Sequence, residues 1–311
     1  MKRFVGKIFI FILCISAILY TYCLISLRAS TAYNGINTAE QIELSFKQAV
    51  QNDYDCYFLG NSRIYRDINP DKFTEVDAYN FAHDNDGYNQ MYYKLLYLLE
   101  ENADFHYLVM GTDYFQFSFL GDSRNYIYDR MLGVEYMRDY NDSLMREVFN
   151  DAVQYWKIRR ETARFCIPYL RGEYKSAGNA HLKENGQYIV PGMATPEDTI
   201  TRSINIMEIQ REYFEKIIEC CVDHNIELYV VMPPARDEEL SSYTAEQRAD
   251  FDVMIEDALA EHYVGHYINC SDLAEFKHYS NYTDITHLNE DAADAFSEYL
   301  NSVFVGNDWV R

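Results

Sequence analysis

Two short strings at opposite ends of the chain contain residue types that can perform nucleophilic chemistry. Ser62 lies in the string GNSR at 60–63, and Asp284 and His287 lie in DITHLN at 284–289. A serine hydroxyl becomes a useful nucleophile when an imidazole accepts its proton, and a carboxylate at the second ring nitrogen fixes the imidazole tautomer. Asp284 and His287 are three positions apart, so a turn places both on one face. We therefore predict a Ser62–His287–Asp284 catalytic triad.

The flanking sequence predicts the elements that position these residues. Residues 56–59 form a short apolar run of strand character, which ends at Gly60 just before Ser62. A serine at the beginning of a helix is surrounded by backbone N–H groups that lack intrahelical partners, and these can stabilise an oxyanion. Residues 288–300 have the pattern of an amphipathic helix, which would anchor the Asp–His pair on a rigid element.

Strand and helix patterns alternate along the chain. Helical patterns occupy 88–101 and 211–224. The strand candidates are 56–59, 77–80, 106–110, 227–232 and 265–270. This alternation predicts an α/β fold with a mostly parallel five-stranded sheet and helices on both faces, that is, a flavodoxin-like three-layer α/β/α sandwich. Ligands of such sheets bind beyond the carboxyl ends of the strands, where Ser62 and Asp113 fall.

The amino-terminal segment predicts export. Residues 8–27 carry no charge and are flanked by basic residues on both sides, a length that suffices to span a bilayer. We predict a cytoplasmic tip and an uncleaved transmembrane signal-anchor over 1–30, with a cleaved signal peptide as the alternative. A linker over 31–53 then leads to a catalytic domain over 54–311, with a helical insertion at about 116–200.

The charge balance excludes one class of partner. The chain has 27 basic and 49 acidic residues, a net charge of −22, and the first 30 residues contain none of the acids. Phosphate backbones need a basic surface, so nucleic acid is excluded as a partner. The spacing of cysteines and histidines fits no zinc site. We predict no metal and no cofactor.

Four strings resemble, in order, the sequence blocks of SGNH (GDSL-like) hydrolases. They are FLGNSR (58–63), AYNFA (78–82), VMGTDYF (109–115) and DITHLN (284–289). The chain is similar to membrane-anchored members that act in bacterial envelope assembly, such as the D-alanyl-lipoteichoic acid biosynthesis protein D and the alginate O-acetylation proteins. The resemblance covers about 54–303, and DITHLN is its most specific part.

The resemblance also implies which groups bind the oxyanion and the substrate. The third block of the family typically offers an asparagine amide to the oxyanion, and Asp113 occupies that position here. The second block offers a glycine amide, a role left to Ala82 or to the later Gly87. Asn80 is expected to hydrogen-bond the loop of the nucleophile. Arg63 is expected either to guide an anionic or polar substrate or to pair with a surface acid.

A second serine competes for the role of nucleophile. The string FLGDSR at 119–124 nearly repeats FLGNSR, and its Ser123 follows a sequence close to the motif that names the family. Ser62 follows the first predicted strand, whereas Ser123 comes after the third block, where the chain has left its strand. The order of the blocks therefore favours Ser62, and a surface turn is the simpler interpretation of 121–123.

These observations predict an extracytoplasmic enzyme on the bacterial cell membrane, held there by a single pass. It would transfer or hydrolyse an acyl group, such as an O-acetyl ester, on a cell-envelope glycan or a small acylated substrate. A polytopic membrane O-acyltransferase is a possible partner. The alternative is a weakly active or inactive accessory protein of the same fold, which binds a glycan or such an acyltransferase. The reason for this alternative is that Asp113 stands where the family typically has the asparagine that donates to the oxyanion.

Overall fold

The computed structural model describes residues 2–34, 38–101, 104–120, 128, 131–133, 167, 170–172, 180–262 and 265–307. In chain order the helices of this part are α1 (Lys2–Asn34), α2 (Thr38–Ala49), α3 (Ser62–Asp67), α4 (Tyr88–Glu100), α5 (Glu208–Asp223), α6 (Asp237–Leu240), α7 (Ala245–Glu261) and α8 (Glu290–Gly306). Short 3₁₀ helices lie at Pro70–Lys72, Gln116–Ser118, Ala274–Phe276 and Tyr279–Asn281.

A five-stranded, all-parallel sheet forms the centre of the fold. In chain order the strands are β1 (Cys56–Leu59), β2 (Ala78–Asn80), β3 (Tyr107–Gly111), β4 (His181–Leu182), β5 (Tyr188–Ile189), β6 (Glu227–Met232) and β7 (His266–Asn269). The sheet has the order β2-β1-β3-β6-β7, and β4 pairs with β5 alone. Apart from the first residues of β3 and β6, the central strands β1, β3 and β6 are fully buried, as expected for strands covered on both faces. The predicted α/β class and five-stranded parallel sheet are confirmed.

Alternate residues of the strands enter two separate cores. Tyr57 and Leu59 of β1 pack with residues of α2, α4, α5 and α7 on one face. Phe58 of β1 packs with Ile64 of α3 and Phe296 of α8 on the other face. Successive side chains of a strand point to opposite faces, so a run of apolar residues holds helices on both sides. The result is a layered arrangement in which α3 and α8, which adjoin the predicted site, share one face.

The stretch expected to be a linker, 31–53, contains a packed helix. Helix α2 buries Ile42, Phe46 and Ala49 in the core, where their exposed fractions are 0 to 2 %. These residues are spaced four and three apart, which is the stripe that a helix presents to a core. The packed part of the chain therefore includes residues 41–49, before β1.

Part of the predicted insertion, 116–200, lies outside the described residues. Its last section is described and contains the antiparallel hairpin β4–β5, where the sequence predicted helix. The turn between the strands contains Asn185 and Gly186, and Gly186 has φ +89°, which favours a turn over a continuing helix. The hairpin lies against β2, because the Asn80 amide donates to Asn185 O at 2.9 Å.

Helix α1 is the element that covers the predicted membrane anchor. Its described side chains between Phe4 and Leu13 are largely apolar and exposed. No helix within the described ranges combines the length and the hydropathy that mark a membrane span.

Candidate active site

Ser62, the predicted nucleophile, lies in a tight turn between β1 and α3. Asn61 is the N-cap of α3, and its Oδ1 accepts a hydrogen bond from the Arg63 amide at 2.9 Å. Gly60 lies under Ile64, and a Cβ on this glycine would stand 2.4 Å from Ile64 Cγ1. Gly111, at the end of β3, would meet the same Cγ1 at 2.1 Å. Two glycines therefore let Ile64 settle over the strand ends, which places Ser62 at the carboxyl edge of the sheet.

The three predicted triad residues are joined by hydrogen bonds. His287 Nε2 lies 2.7 Å from Ser62 Oγ, and His287 Nδ1 lies 2.9 and 2.8 Å from the two carboxylate oxygens of Asp284. An ionised carboxylate only accepts hydrogen bonds, so the ring proton is assigned to Nδ1. Nε2 is then the acceptor that faces the serine hydroxyl. This is the tautomer in which His287 can remove the proton from Ser62.

Backbone groups hold Asp284 in place. Its Oδ1 accepts hydrogen bonds from the amides of Thr286 at 2.9 Å and His287 at 3.1 Å. The residue that follows His287 is fixed as well, because the Leu288 amide donates to Asp67 Oδ1 of α3 at 2.9 Å. The loop that carries the Asp–His pair is therefore attached to the helix that carries the nucleophile.

The electrostatics favour a neutral imidazole beside an ionised carboxylate. Burial lowers the pKa of His287, and it outweighs the hydrogen bond to Asp284, which raises the pKa. Burial acts to raise the pKa of Asp284, but the hydrogen bonds from His287 and its neighbours outweigh it, and the net pKa is well below the ordinary value. His287 is therefore deprotonated at neutral pH, as a general base must be. The His287 and Asp284 side chains are 13 % and 44 % exposed, so the site opens to solvent.

One of the expected oxyanion donors is available. Within the described part of the chain, the Ser62 amide has no hydrogen-bond partner, as its place at the beginning of α3 predicts. The Ala82 amide instead donates to Asn80 Oδ1 at 3.1 Å, and the Gly87 amide donates to Gln90 Oε1 at 2.7 Å. Both of these amides are engaged, because side chains nearby satisfy them. The expected role of Ala82 as a donor therefore has to be corrected.

Asn80 holds α3 in place through its buried side chain and does not line the exposed part of the site. It is fully buried, and its Nδ2 donates to Ile64 O at 2.8 Å and to Ile68 O at 3.0 Å. These carbonyls lie within and just after α3, so Asn80 fixes the helix of the nucleophile to β2. Its place matches the expected contact with the nucleophile loop and leaves it without a binding role.

Asp113 is a buried hydrogen-bond acceptor beside the turn that carries Ser62. It is 1 % exposed, and its Oδ1 accepts from the Phe115 amide at 3.0 Å while its Oδ2 accepts from Asn61 Nδ2 at 2.8 Å. Burial raises the pKa of Asp113, and the nearby Arg63 guanidinium and the hydrogen bond from Asn61 oppose that shift. The residue in the third block is thus a buried acceptor that holds the N-cap of α3, not an oxyanion donor.

Arg63 is buried in an ion pair within the fold. Its Nη1 lies 3.2 Å from Glu239 Oε1, both side chains are 3 % exposed, and its Nη2 donates to Pro234 O. Neither the substrate role nor a pairing with a surface acid fits this placement, because the guanidinium is sealed from solvent. The competing nucleophile Ser123 lies outside the described residues.

Comparison with known proteins identifies no family for this chain. No protein-family model matches the chain, and no curated protein matches it. The chemistry of the site is therefore inferred from its own residues.

Two residues beside the triad escaped the sequence-based prediction. Arg66 and Asp84 form a bidentate ion pair whose guanidinium reaches towards His287 and Asp284. The signal for Arg66 was present in the sequence, because it lies four residues after Ser62 and thus on the same face of a helix that begins there. Asp84 follows β2 at the same edge of the sheet.

Proposed function

We propose that this chain is a serine-dependent acyl-handling enzyme of the SGNH type. The observation that carries the proposal is the continuous hydrogen-bonded chain from Ser62 through His287 to Asp284. Ser62 Oγ would attack the ester carbonyl while His287 takes its proton, and His287 would then return the proton to the leaving alcohol. The Ser62 amide would donate to the oxyanion of the tetrahedral intermediate.

The acceptor of the acyl group separates two outcomes of the same chemistry. Water would give an esterase, and a sugar hydroxyl would give an acyltransferase. We propose transfer or removal of an O-acyl group on a cell-envelope glycan, on the grounds of the resemblance in the four sequence blocks and of the uncharged segment 8–27, which would tether the protein to the bacterial membrane. A polytopic membrane O-acyltransferase would be the partner that supplies the acyl group.

A serine-reactive fluorophosphonate tests the nucleophile directly. The full chain is incubated with the probe, and labelling is compared between the wild type, Ser62→Ala and Ser123→Ala. We expect Ser62→Ala to abolish labelling and Ser123→Ala to retain it. Loss of labelling in Ser123→Ala alone would move the nucleophile to the other serine. The products formed from p-nitrophenyl acetate in the presence of an oligosaccharide then distinguish hydrolysis from transfer: p-nitrophenol is released in both, but hydrolysis gives acetate and transfer gives an O-acetylated oligosaccharide.

A second candidate function is favoured by the oxyanion donors. The amides of Ala82 and Gly87 are engaged by side chains, and Asp113 is an acceptor, so Ser62 supplies the one donor identified in the described residues. Loss of one such donor in an enzyme costs about 3 kcal/mol of transition-state stabilisation. The chain would then be an accessory protein that binds a glycan or an acyltransferase. Absence of labelling in a folded wild-type chain would favour this function.

A further inference from the structure

An ion pair between Arg66 and Asp84 lies beside the triad. Arg66 Nε donates to Asp84 Oδ1 at 3.1 Å, and Arg66 Nη2 donates to Asp84 Oδ2 at 2.9 Å. A bidentate pair of this kind fixes the plane of the guanidinium as well as its distance. The two side chains are 17 % and 19 % exposed, so solvent screens the pair less than it screens a surface salt bridge.

The remaining nitrogen of the guanidinium faces the triad. Arg66 Nη1 lies 3.7 Å from Asp284 Oδ2 and 3.4 Å from His287 Nδ1. His287 Nδ1 already carries the proton that it donates to Asp284, so Arg66 and His287 face each other as two donors. Arg66 therefore acts on the ring through its charge, and a positive charge at this distance disfavours the imidazolium ion.

The scaffold holds Arg66 from two further directions. Its backbone carbonyl accepts a hydrogen bond from Gln187 Nε2 at 3.0 Å, and its Cζ lies 5.9 Å from the centre of the Tyr188 ring. Both contacts come from the hairpin β4–β5, whereas Asp84 follows β2. These contacts and the pair with Asp84 hold the guanidinium beside Asp284, with Nη1 at 3.7 Å from Oδ2.

Charged groups from several elements surround His287. Its own loop supplies Asp284, α3 supplies Arg66, and the segment after β2 supplies Asp84. Burial lowers the pKa of His287 most, the hydrogen bond to Asp284 raises it, Arg66 lowers it and Asp84 raises it. Farther out, Asp67 of α3 accepts from the Leu288 amide behind the loop. Lys183 of the hairpin pairs with Glu290 of α8 at 2.9 Å.

We propose that Arg66 and Asp84 are positioning residues of the triad that act on it through opposite charges: Arg66 keeps Asp284 ionised and His287 in its neutral form, and Asp84, which pairs with the guanidinium, partly offsets that effect. The pair thereby sets the lower pH limit at which His287 can act as a base. This inference deepens the proposed function and rests on it for its catalytic meaning. The effect of Arg66 and Asp84 on the protonation of His287 can be measured independently of catalysis.

The test is an NMR titration of the full chain labelled at histidine, with the His287 signal assigned from a His287→Gln spectrum. Arg66→Gln removes the cation, and the midpoint of the His287 titration is expected to rise by about one pH unit. Asp84→Asn leaves the charge of Arg66 unopposed, and the midpoint is expected to fall. Arg211→Gln removes an exposed i,i+4 partner of Glu215 and serves as the matched control with no shift.

Shifts of opposite sign in the two variants support the proposal, because a structural role would move both in the same direction. Equal signs, or no shift in either variant, overturn it. If Arg66→Gln does not fold, Arg66→Lys keeps the charge and loses the fork, and its midpoint should stay near the wild-type value while that of Asp84→Asn falls. Opposite shifts in a chain that fluorophosphonate does not label would refute the proposed function and retain the ion pair's effect.

Discussion

The buried contact between Asn61 and Asp113 gives a quantitative test of how the nucleophile turn is held. Asn61 accepts from the Arg63 amide with its Oδ1 and donates with its Nδ2 to Asp113 and to Gln116. Asn61→Asp keeps the acceptor for the helix cap and replaces the donor by an oxygen. Two carboxyl groups would then meet at about the present 2.8 Å, where both cannot be ionised.

The cost follows from the proton that the folded state must take up. An ordinary aspartate has a pKa near 3.9, so protonation at pH 7 costs about 4 kcal/mol and at pH 5 about 1.5 kcal/mol. The new O–H···O bond replaces the lost N–H···O bond and cancels it to a first approximation. The native state binds this proton and the unfolded state does not, so the loss of stability grows as the pH rises. For a domain of this size that is a fall in Tm of about 10 °C at pH 7.

Thermal unfolding followed by circular dichroism at pH 5 and pH 7 measures the effect. Asp113→Asn is the matched control, because it sets two amides against each other without a proton to take up. Burial raises the pKa of Asp113, so the cost of removing this carboxyl does not grow as the pH rises, in contrast to that of Asn61→Asp. The double variant Asn61→Asp/Asp113→Asn exchanges the two groups, so the amide introduced at 113 donates to the carboxylate introduced at 61. The oxygen of that amide still accepts from the Phe115 amide. We expect the double variant to recover most of the stability that each single variant loses.

Two results would refute this reasoning. The first is a Tm of Asn61→Asp at pH 7 that lies within about 2 °C of the wild-type value, since the two carboxyl groups would then not meet. The second is a double variant that is no more stable than Asn61→Asp, since the two side chains would then not exchange a hydrogen bond. Recovery is expected to be incomplete, because Gln116 loses its donor in both.

Three further predictions concern the triad loop, the hairpin and a buried carboxyl. Asp284→Asn should lower the rate of fluorophosphonate labelling by about 10⁴ without unfolding the chain, since the wrong imidazole tautomer would face Ser62; an unchanged rate would remove Asp284 from the triad. Gly186→Ala should lower Tm more than Gly172→Ala, because both glycines have positive φ but a Cβ at 186 would stand 2.1 Å from Asn80 O, while one at 172 meets no described atom within 4 Å; equal losses would contradict the close approach. Burial raises the pKa of Asp67 well above its ordinary 3.8, so the folded state keeps a proton that the unfolded state releases. The contribution of Asp67 to stability therefore falls as the pH rises above 3.8. The Tm of Asp67→Asn, measured relative to the wild type, should therefore increase between about pH 4 and pH 7, and a difference that stays constant or decreases would be the contrary result.

The central strands were predictable because their signal is local. Runs such as 56–59 and 227–232 are largely apolar, which is typical of parallel strands buried on both faces, and they match β1 and β6 residue for residue. The hairpin at 181–189 was not predictable in this way. Its strands have two residues each, and they are held by the turn at Gly186 and by the contact with β2 more than by periodicity.

The candidate site likewise has one part that the sequence predicts and another that it does not. Ser62, Asp284 and His287 could be proposed from residue type and spacing, and the structure brings their side chains together. The uses of Ala82 and Asp113 could not be foreseen, because they depend on which neighbour satisfies each buried polar group. The Asn80 side chain engages the Ala82 amide while it also holds α3, where β2 and α3 meet in the fold. Such pairings arise from tertiary contacts and leave no periodic trace in the sequence.

The separation of the triad along the chain has a consequence for biosynthesis. Ser62 and His287 are 225 positions apart, and α8 docks directly against α3. A nascent chain emerges from its amino end, so the serine is made long before the imidazole that activates it. Contacts this distant in sequence form late and close a long loop. In the proposed enzyme, the hydroxyl of Ser62 would therefore stay unactivated until the segment that carries Asp284 and His287 has been synthesised and has packed against α3.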